Sequence, residues 1–122
     1  MKARQILYIE DNALVREITC EMLNTDANEV TAFASAEDAL AELRRRRFDV
    51  IITDISLPAM SGVDFARRIL AMDPTAPIII ASAYDWQEDL GVAGARIRVL
   101  KKPFDAAQIE SLIRELHSPS AA

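Results

Sequence analysis

"VIITDISLPAMSG", residues 50–62, is the stretch on which the reading of this chain turns. Val50, Ile51 and Ile52 form a short apolar β-branched run that passes through Thr53 into an acid, Asp54. A continuous run of this kind suits a strand buried on both faces. Pro58 and Gly62 follow within eight positions of that acid, and such a turn is expected to need a preset φ at one and backbone freedom at the other. A buried strand that ends by delivering a carboxylate directs attention to whatever other strands end beside it.

Working outward, short β-rich runs alternate with helical patterns five times. "QILYI" (5–9) reads as a strand, and residues 14–23 carry Leu14, Ile18 and Met22 at helical spacing, with Val15 and Leu23 beside them. "EVTAF" (29–33) alternates as a strand, and Ser35 then caps a helix through Leu43, with Asp38 as its imperfect capping-box partner. After the strand at 50–53, a helix over 63–72 is stopped by Asp73-Pro74. "IIIA" (78–81) and "RVL" (98–100) are the last two strands, with a short, weak helical stretch at 85–92 between them. Residues 105–117 form the last helix, with Asp105 and Gln108 as its capping pair. The reading divides the chain into one domain over 1–117 and a tail, or start of a linker, at 118–122.

Alternating strands and helices predict an α/β fold, a parallel sheet covered on both faces. Five units close most economically as an open, doubly wound five-stranded sheet, a (βα)5 arrangement, since an eight-stranded barrel needs about twice the length. In such sheets ligands sit outside the carboxyl ends of the strands.

Composition narrows the function classes. The 122 residues are 51% hydrophobic and 27% charged, enough for one domain with a true core. A net charge of −5 argues against direct nucleic-acid binding. The single cysteine, Cys20, cannot form an internal disulfide and is read as buried filler in a reducing compartment. Neither a membrane span nor a signal peptide is legible, so the expected location is the cytoplasm.

The strand ends carry the chemistry. Glu10 and Asp11 follow the first strand, Asp54 the third, Ser82 the fourth, and Lys101 and Lys102 the fifth. Three carboxylates in one crevice repel one another unless a cation joins them, and an all-oxygen donor set favours a hard divalent ion, most simply Mg²⁺. An aspartate so neutralised can attack phosphorus, provided the developing charge meets an ammonium, a hydroxyl or backbone N–H groups.

With these residues in order, the chain resembles a receiver domain of the two-component response regulator family over about residues 5–116. The motifs are Glu10-Asp11, "TDISLPAMSG" around Asp54, Ser82-Ala83, and Lys102-Pro103-Phe104. The resemblance implies the flavodoxin-like strand order 2-1-3-4-5 and Asp54 as phosphoacceptor. It implies Mg²⁺ bound by Asp11, Glu10, Asp54 and the backbone carbonyl of Ser56. Ser82 then bonds a phosphoryl oxygen, and Lys102 rather than Lys101 makes the ion pair, across a Lys102-Pro103 bond that is typically cis. The phosphoryl donor is a phosphohistidine on a histidine kinase or histidine phosphotransfer protein, and phosphorylation switches binding to a downstream protein target. Catalysis is confined to the domain's own phosphorylation and slow dephosphorylation. The chain is expected to be a stand-alone regulator or a receiver excised from a longer protein.

Plainer readings stand beside these. The alternative function is an interaction module of the same fold that works without phosphate. The arginines at 44–47 and His117 read as cations at helix ends, where they complement the carbonyl dipole. An aspartate-nucleophile phosphatase would want a second acid two residues after the nucleophile, where Ser56 stands. The family usually places Tyr or Phe at the position of Val99, and Tyr84 is the nearest aromatic in sequence to take its part in a switch.

Overall fold

The structure, a computed structural model, describes residues 3–83 and 96–117. Five strands, β1 (Arg4–Ile9), β2 (Asn28–Phe33), β3 (Val50–Asp54), β4 (Ile78–Ser82) and β5 (Ile97–Lys101), form one parallel sheet in the order β2-β1-β3-β4-β5. Among the described residues the helices are α1 (Ala13–Leu23), α2 (Ala36–Leu43), α3 (Gly62–Met72) and α4 (Ala106–His117). The helical stretch expected at 85–92, Tyr84 and the tail lie outside the described residues.

Strand side chains alternate between faces, and two separate cores result. Leu7, Ile9, Ile51, Ile78 and Ile80 pack with α2 and α3, around Ala39, Phe65 and Ile69. Ile6, Tyr8, Val50, Ile52 and Ile79 pack with α1 and α4, around Leu23, Ile109, Ile113 and Leu116. The apolar runs read from sequence are therefore buried on both sides, as a sheet covered by two helical layers requires.

Each helix starts at a side-chain cap near the carboxyl end of the strand before it. The side chain of Ser35 accepts from the Asp38 N–H (3.3 Å), and Asp105 and Gln108 exchange two bonds of 2.8 Å. Caps at Asn12, accepting from Val15 N–H (3.0 Å), and Ser61, accepting from Asp64 N–H (3.1 Å), start α1 and α3 one residue earlier than apolar spacing indicates. Each such cap contributes about 1 kcal/mol. Helix α1 is where spacing misleads about the face. Its buried residues are Thr19 and Leu23, whereas Leu14 and Ile18 are 65% and 59% exposed. Cys20 is half-buried against the α1/α4 core, and burial raises its thiol pKa.

Two contacts hold the frame at its opposite ends. At the carboxyl end, Gly62 opens α3 and donates its N–H to the Ile55 carbonyl (2.8 Å). A Cβ there would stand 2.2 Å from the Asp54 carbonyl oxygen and 2.8 Å from the Ile55 Cα. The glycine is thus needed for close approach in a helical position, and the expected demand for backbone freedom is replaced by one for space. At the other end, buried Asn28 accepts from Arg4 Nε (2.8 Å) and donates to Glu110 Oε1 (2.8 Å), while the Arg4 guanidinium also pairs with Glu110. This joins β1, β2 and α4. Burial pushes the Glu110 carboxyl up, but the bonds from Asn28 and Arg4 outweigh it and its pKa is lowered.

Gly62→Ala is expected to cost about 1–3 kcal/mol, because the obstructing atoms are backbone and the added methyl overpacks them. A urea titration showing a change within about 0.5 kcal/mol, as at an ordinary surface site, would refute that account. A carboxyl with a depressed folded pKa stabilises above its unfolded value, and that stabilisation is lost as pH falls through the folded pKa. Glu110→Gln should therefore be less stable than wild type at neutral pH, with a gap that narrows in acid. A gap independent of pH would show that the charge of Glu110 is not what stabilises the join.

Candidate functional site

The parallel register brings the strand ends together. Ile9 pairs with Thr53 and Asp54 with Ala81, so the residues after β1 arrive beside the end of β3, and Ser82 lies opposite Lys101. Carboxylate oxygens of Glu10, Asp11 and Asp54 lie within 4.8 Å of one another. Glu10 is buried, Asp54 half-buried and Asp11 exposed. Lys102 Nζ stands 3.3 Å from Asp54 Oδ2 and 3.8 Å from Glu10 Oε1. The lysine is positioned by the backbone, since its N–H donates to the Ser82 carbonyl (2.7 Å), and the Lys102-Pro103 bond is cis.

Local bonds orient Glu10 and Asp54. Asn12 N–H donates to Glu10 Oε2 (3.1 Å), and Ser56 N–H to Asp54 Oδ1 (3.4 Å). The Thr53 hydroxyl donates to the Asp54 carbonyl (2.9 Å), the same oxygen that crowds Gly62. Burial first, and then the negative charge of Asp54, raise the Glu10 pKa, against the pull of the Asn12 N–H and of Lys102. Three carboxylates face one ammonium, so the cluster retains excess negative charge. Oxygen donors only, closely spaced and open on the Asp11 side, fit a hard divalent cation and not a soft one.

Of the residues singled out from sequence, Glu10, Asp11, Asp54 and Lys102 meet directly. Ser56 adjoins Asp54 through its N–H, and Ser82 is fully buried at the end of β4 behind the lysine. Lys101 is exposed, and Val99 is half-buried on β5. Sequence reasoning did not find the floor and rim of the site. A cavity of about 530 Å³ opens beside Glu10 and Asp54, between Val15 and Ile18 of α1 and the Lys102-Pro103-Phe104 segment. Tyr8 and Thr19 floor it, and burial pushes the Tyr8 phenol up to about 12 against the lowering influence of the Thr19 side chain. The signal for the rim was present in the apolar spacing of α1, but spacing alone does not say which face is buried.

Known proteins share both the sequence pattern and the architecture. The family model of the response regulator receiver domain matches residues 6–114. The two-component response regulator PhoP of Pseudomonas aeruginosa is 31% identical over 114 residues, covering 92% of this chain and 51% of that protein. The transcriptional regulatory protein CseB of Streptomyces coelicolor is 34% identical over 111 residues, covering 89% and 47%. The chain thus spans about half the length of these relatives. Among solved structures, the receiver domain of the sensor histidine kinase PA1611 from Pseudomonas aeruginosa has a magnesium ion coordinated in its active-site cleft. It superposes with a TM-score of 0.84 at 28% identity, covering 96% of this chain and all (100%) of that one. The response regulator TrrA of Thermotoga maritima, in complex with Mg²⁺ and BeF, gives a TM-score of 0.82 at 28% identity, covering 93% and 98%. The matched residues span every described strand and helix apart from their outermost ends, and this chain belongs to the response regulator receiver domain family.

Proposed function

We propose that residues 1–117 act as a phosphoryl-accepting receiver, with Asp54 as the acceptor and a phosphohistidine on a histidine kinase or phosphotransfer protein as the donor. The observation that carries this reading is the Lys102 ammonium 3.3 Å from a half-buried aspartate, which itself lies within 4.8 Å of two further carboxylates. Glu10, Asp11 and Asp54, with the carbonyl of Ser56, would hold Mg²⁺. When bound, that ion supplies the positive charge that lets a carboxylate and a phosphoryl group approach.

An Asp54 carboxylate oxygen forms the new bond to phosphorus while the P–N bond of the phosphohistidine breaks, and the bonding pair leaves with the imidazole nitrogen. Lys102 and the Ser56 N–H meet the charge on the phosphoryl oxygens, and Ser82 supplies a hydroxyl once its end of β4 adjusts. Hydrolysis then removes the phosphoryl group: water attacks phosphorus, the P–O bond to Asp54 breaks, and Asp54 leaves as the free carboxylate with release of inorganic phosphate. The domain catalyses only these two steps on itself.

The rim supports a protein donor. Leu14, Val15 and Ile18 lie exposed on α1 beside the crevice, where an apolar patch suits a macromolecular surface better than a small charged substrate. The downstream target is likewise read as a protein, and the chain's net charge of −5 disfavours direct contact with nucleic acid. No described helix is long and apolar enough to cross a membrane. The working location is read as the cytoplasm, where phosphohistidine donors of this kind are made. A module working without phosphate is disfavoured, because acceptor, acids and lysine are all present and in contact.

Acetyl phosphate with Mg²⁺ should add one phosphoryl group to the chain, read by intact mass. Asp54→Asn should abolish the addition, and full modification of that variant would remove Asp54 from its role. Lys102→Ala should slow phosphorylation by about 100-fold, the loss typical of one removed charge-stabilising donor, while Mg²⁺ binding persists. An unchanged rate would show that the ion pair is structural.

A further inference from the structure

We propose that Arg16 is a positioning residue for the acidic pair, holding the backbone of Glu10 and Asp11 in the conformation that aims both carboxylates at the metal site. Arg16 lies on α1 and reaches back toward the strand that precedes its helix. Its Nη1 donates to the Glu10 carbonyl (2.8 Å) and, more weakly, to the Asp11 carbonyl (3.4 Å). These two carbonyls sit in the gap between two regular structures. The Glu10 N–H makes the last bond to β2, at the Phe33 carbonyl (3.1 Å). The first bond of α1 runs from the Arg16 N–H to the Asn12 carbonyl (2.9 Å). In the intervening residues neither ladder fixes the chain, yet two of the three clustered carboxylates hang there.

The chemistry of the contact separates positioning from electrostatics. Both bonds go to main-chain oxygens, so the carboxylates are not drawn away from the crevice. A guanidinium this close is a fixed positive charge, and by charge alone it opposes a divalent cation at the same acids. Its benefit has to come from geometry, the role that partners of metal ligands commonly have. The two effects have opposite signs, so one measurement distinguishes them. Removing a cation that acts only through its charge tightens Mg²⁺ binding, whereas removing a clasp weakens it.

The test is Mg²⁺ titration calorimetry on the whole chain, with metal-free melting recorded alongside. Arg16→Met is expected to bind Mg²⁺ about tenfold more weakly, the lower edge of the loss seen for outer-shell partners of metal ligands. Equal or tighter binding by a folded Arg16→Met overturns the proposal. Should that variant not fold, Arg16→Lys reads the same quantity, because it keeps the charge and shortens the reach. Weaker binding by it supports the clasp, and equal or tighter binding overturns it. The inference rests on Glu10 and Asp11 being metal carboxylates, and Asp11→Asn checks that separately. Unchanged Mg²⁺ affinity in Asp11→Asn removes the site reading and this inference together. Weakened affinity there with unchanged affinity in Arg16→Met removes this inference alone.

Discussion

Like-charge crowding at the carboxyl ends of β1 and β3 sets the load that the two cores and the helices around them have to hold. Two unit charges at the 4.8 Å limit of the cluster repel by about 3 kcal/mol at an effective dielectric constant of about 20, and three carboxylates make three such pairs. Lys102 offsets part of this and leaves an excess of negative charge. No arrangement of the loops alone would tolerate it. The acids stay together because each is attached to a buried strand end, and those strands are held from both faces by separate apolar cores. Stability is generated in the two cores, and the repulsion it sustains is stored at one edge.

The opposite edge of the sheet shows what the same chain does with charge when no site is needed. There Asn28, Arg4 and Glu110 satisfy one another, and Asp49 accepts from the Gln5 N–H (2.7 Å) while standing 3.4 Å from His117 Nε2. Arg46, from the four-arginine run, pairs with Glu42 and Thr31 and lies over the Phe48 ring. Arg46 is thereby consumed in tying the end of α2 to the sheet. One end of the sheet is internally neutralised, and the other keeps an excess of negative charge. A parallel sheet makes that asymmetry natural, because all its strands deliver their carboxyl ends to one edge.

The fold was legible in the sequence because strands buried on both faces leave continuous apolar runs, and "VIIT" and "IIIA" leave little room for another assignment. The meeting of Glu10, Asp11, Asp54 and Lys102 was legible for a related reason. Strand ends are fixed by those runs, and the sheet order then fixes which ends adjoin. What failed to show was whatever depends on direction within an element. Leu14 and Ile18 have the spacing of a buried helix face, yet α1 turns Thr19 and Leu23 inward and exposes them. Gly62 carries the composition of a turn but serves as a gap for the Asp54 carbonyl. Arg16 gives no sequence signal distinguishing it from any solvated helical arginine, since its partners are main-chain oxygens.

Helix α1 joins these parts into one device. Its first turn is fixed by Asn12 and by Arg16, which hold the segment bearing Glu10 and Asp11. Its inner face closes on the core through Leu23 and on the cavity floor through Thr19, beside Tyr8. Its outer face exposes Leu14, and Val15 and Ile18 line the rim of the crevice. The residues that hold the acids and the exposed apolar residues therefore alternate within the same two turns. A helix of 11 residues packed at native density moves as a unit, so the rim cannot shift without shifting the carbonyls that Arg16 clasps. The segment bearing Glu10 and Asp11 and the apolar rim are thus both tied to α1, so on the proposed reading recognition of a partner and readiness of the acidic pair share one mechanical constraint.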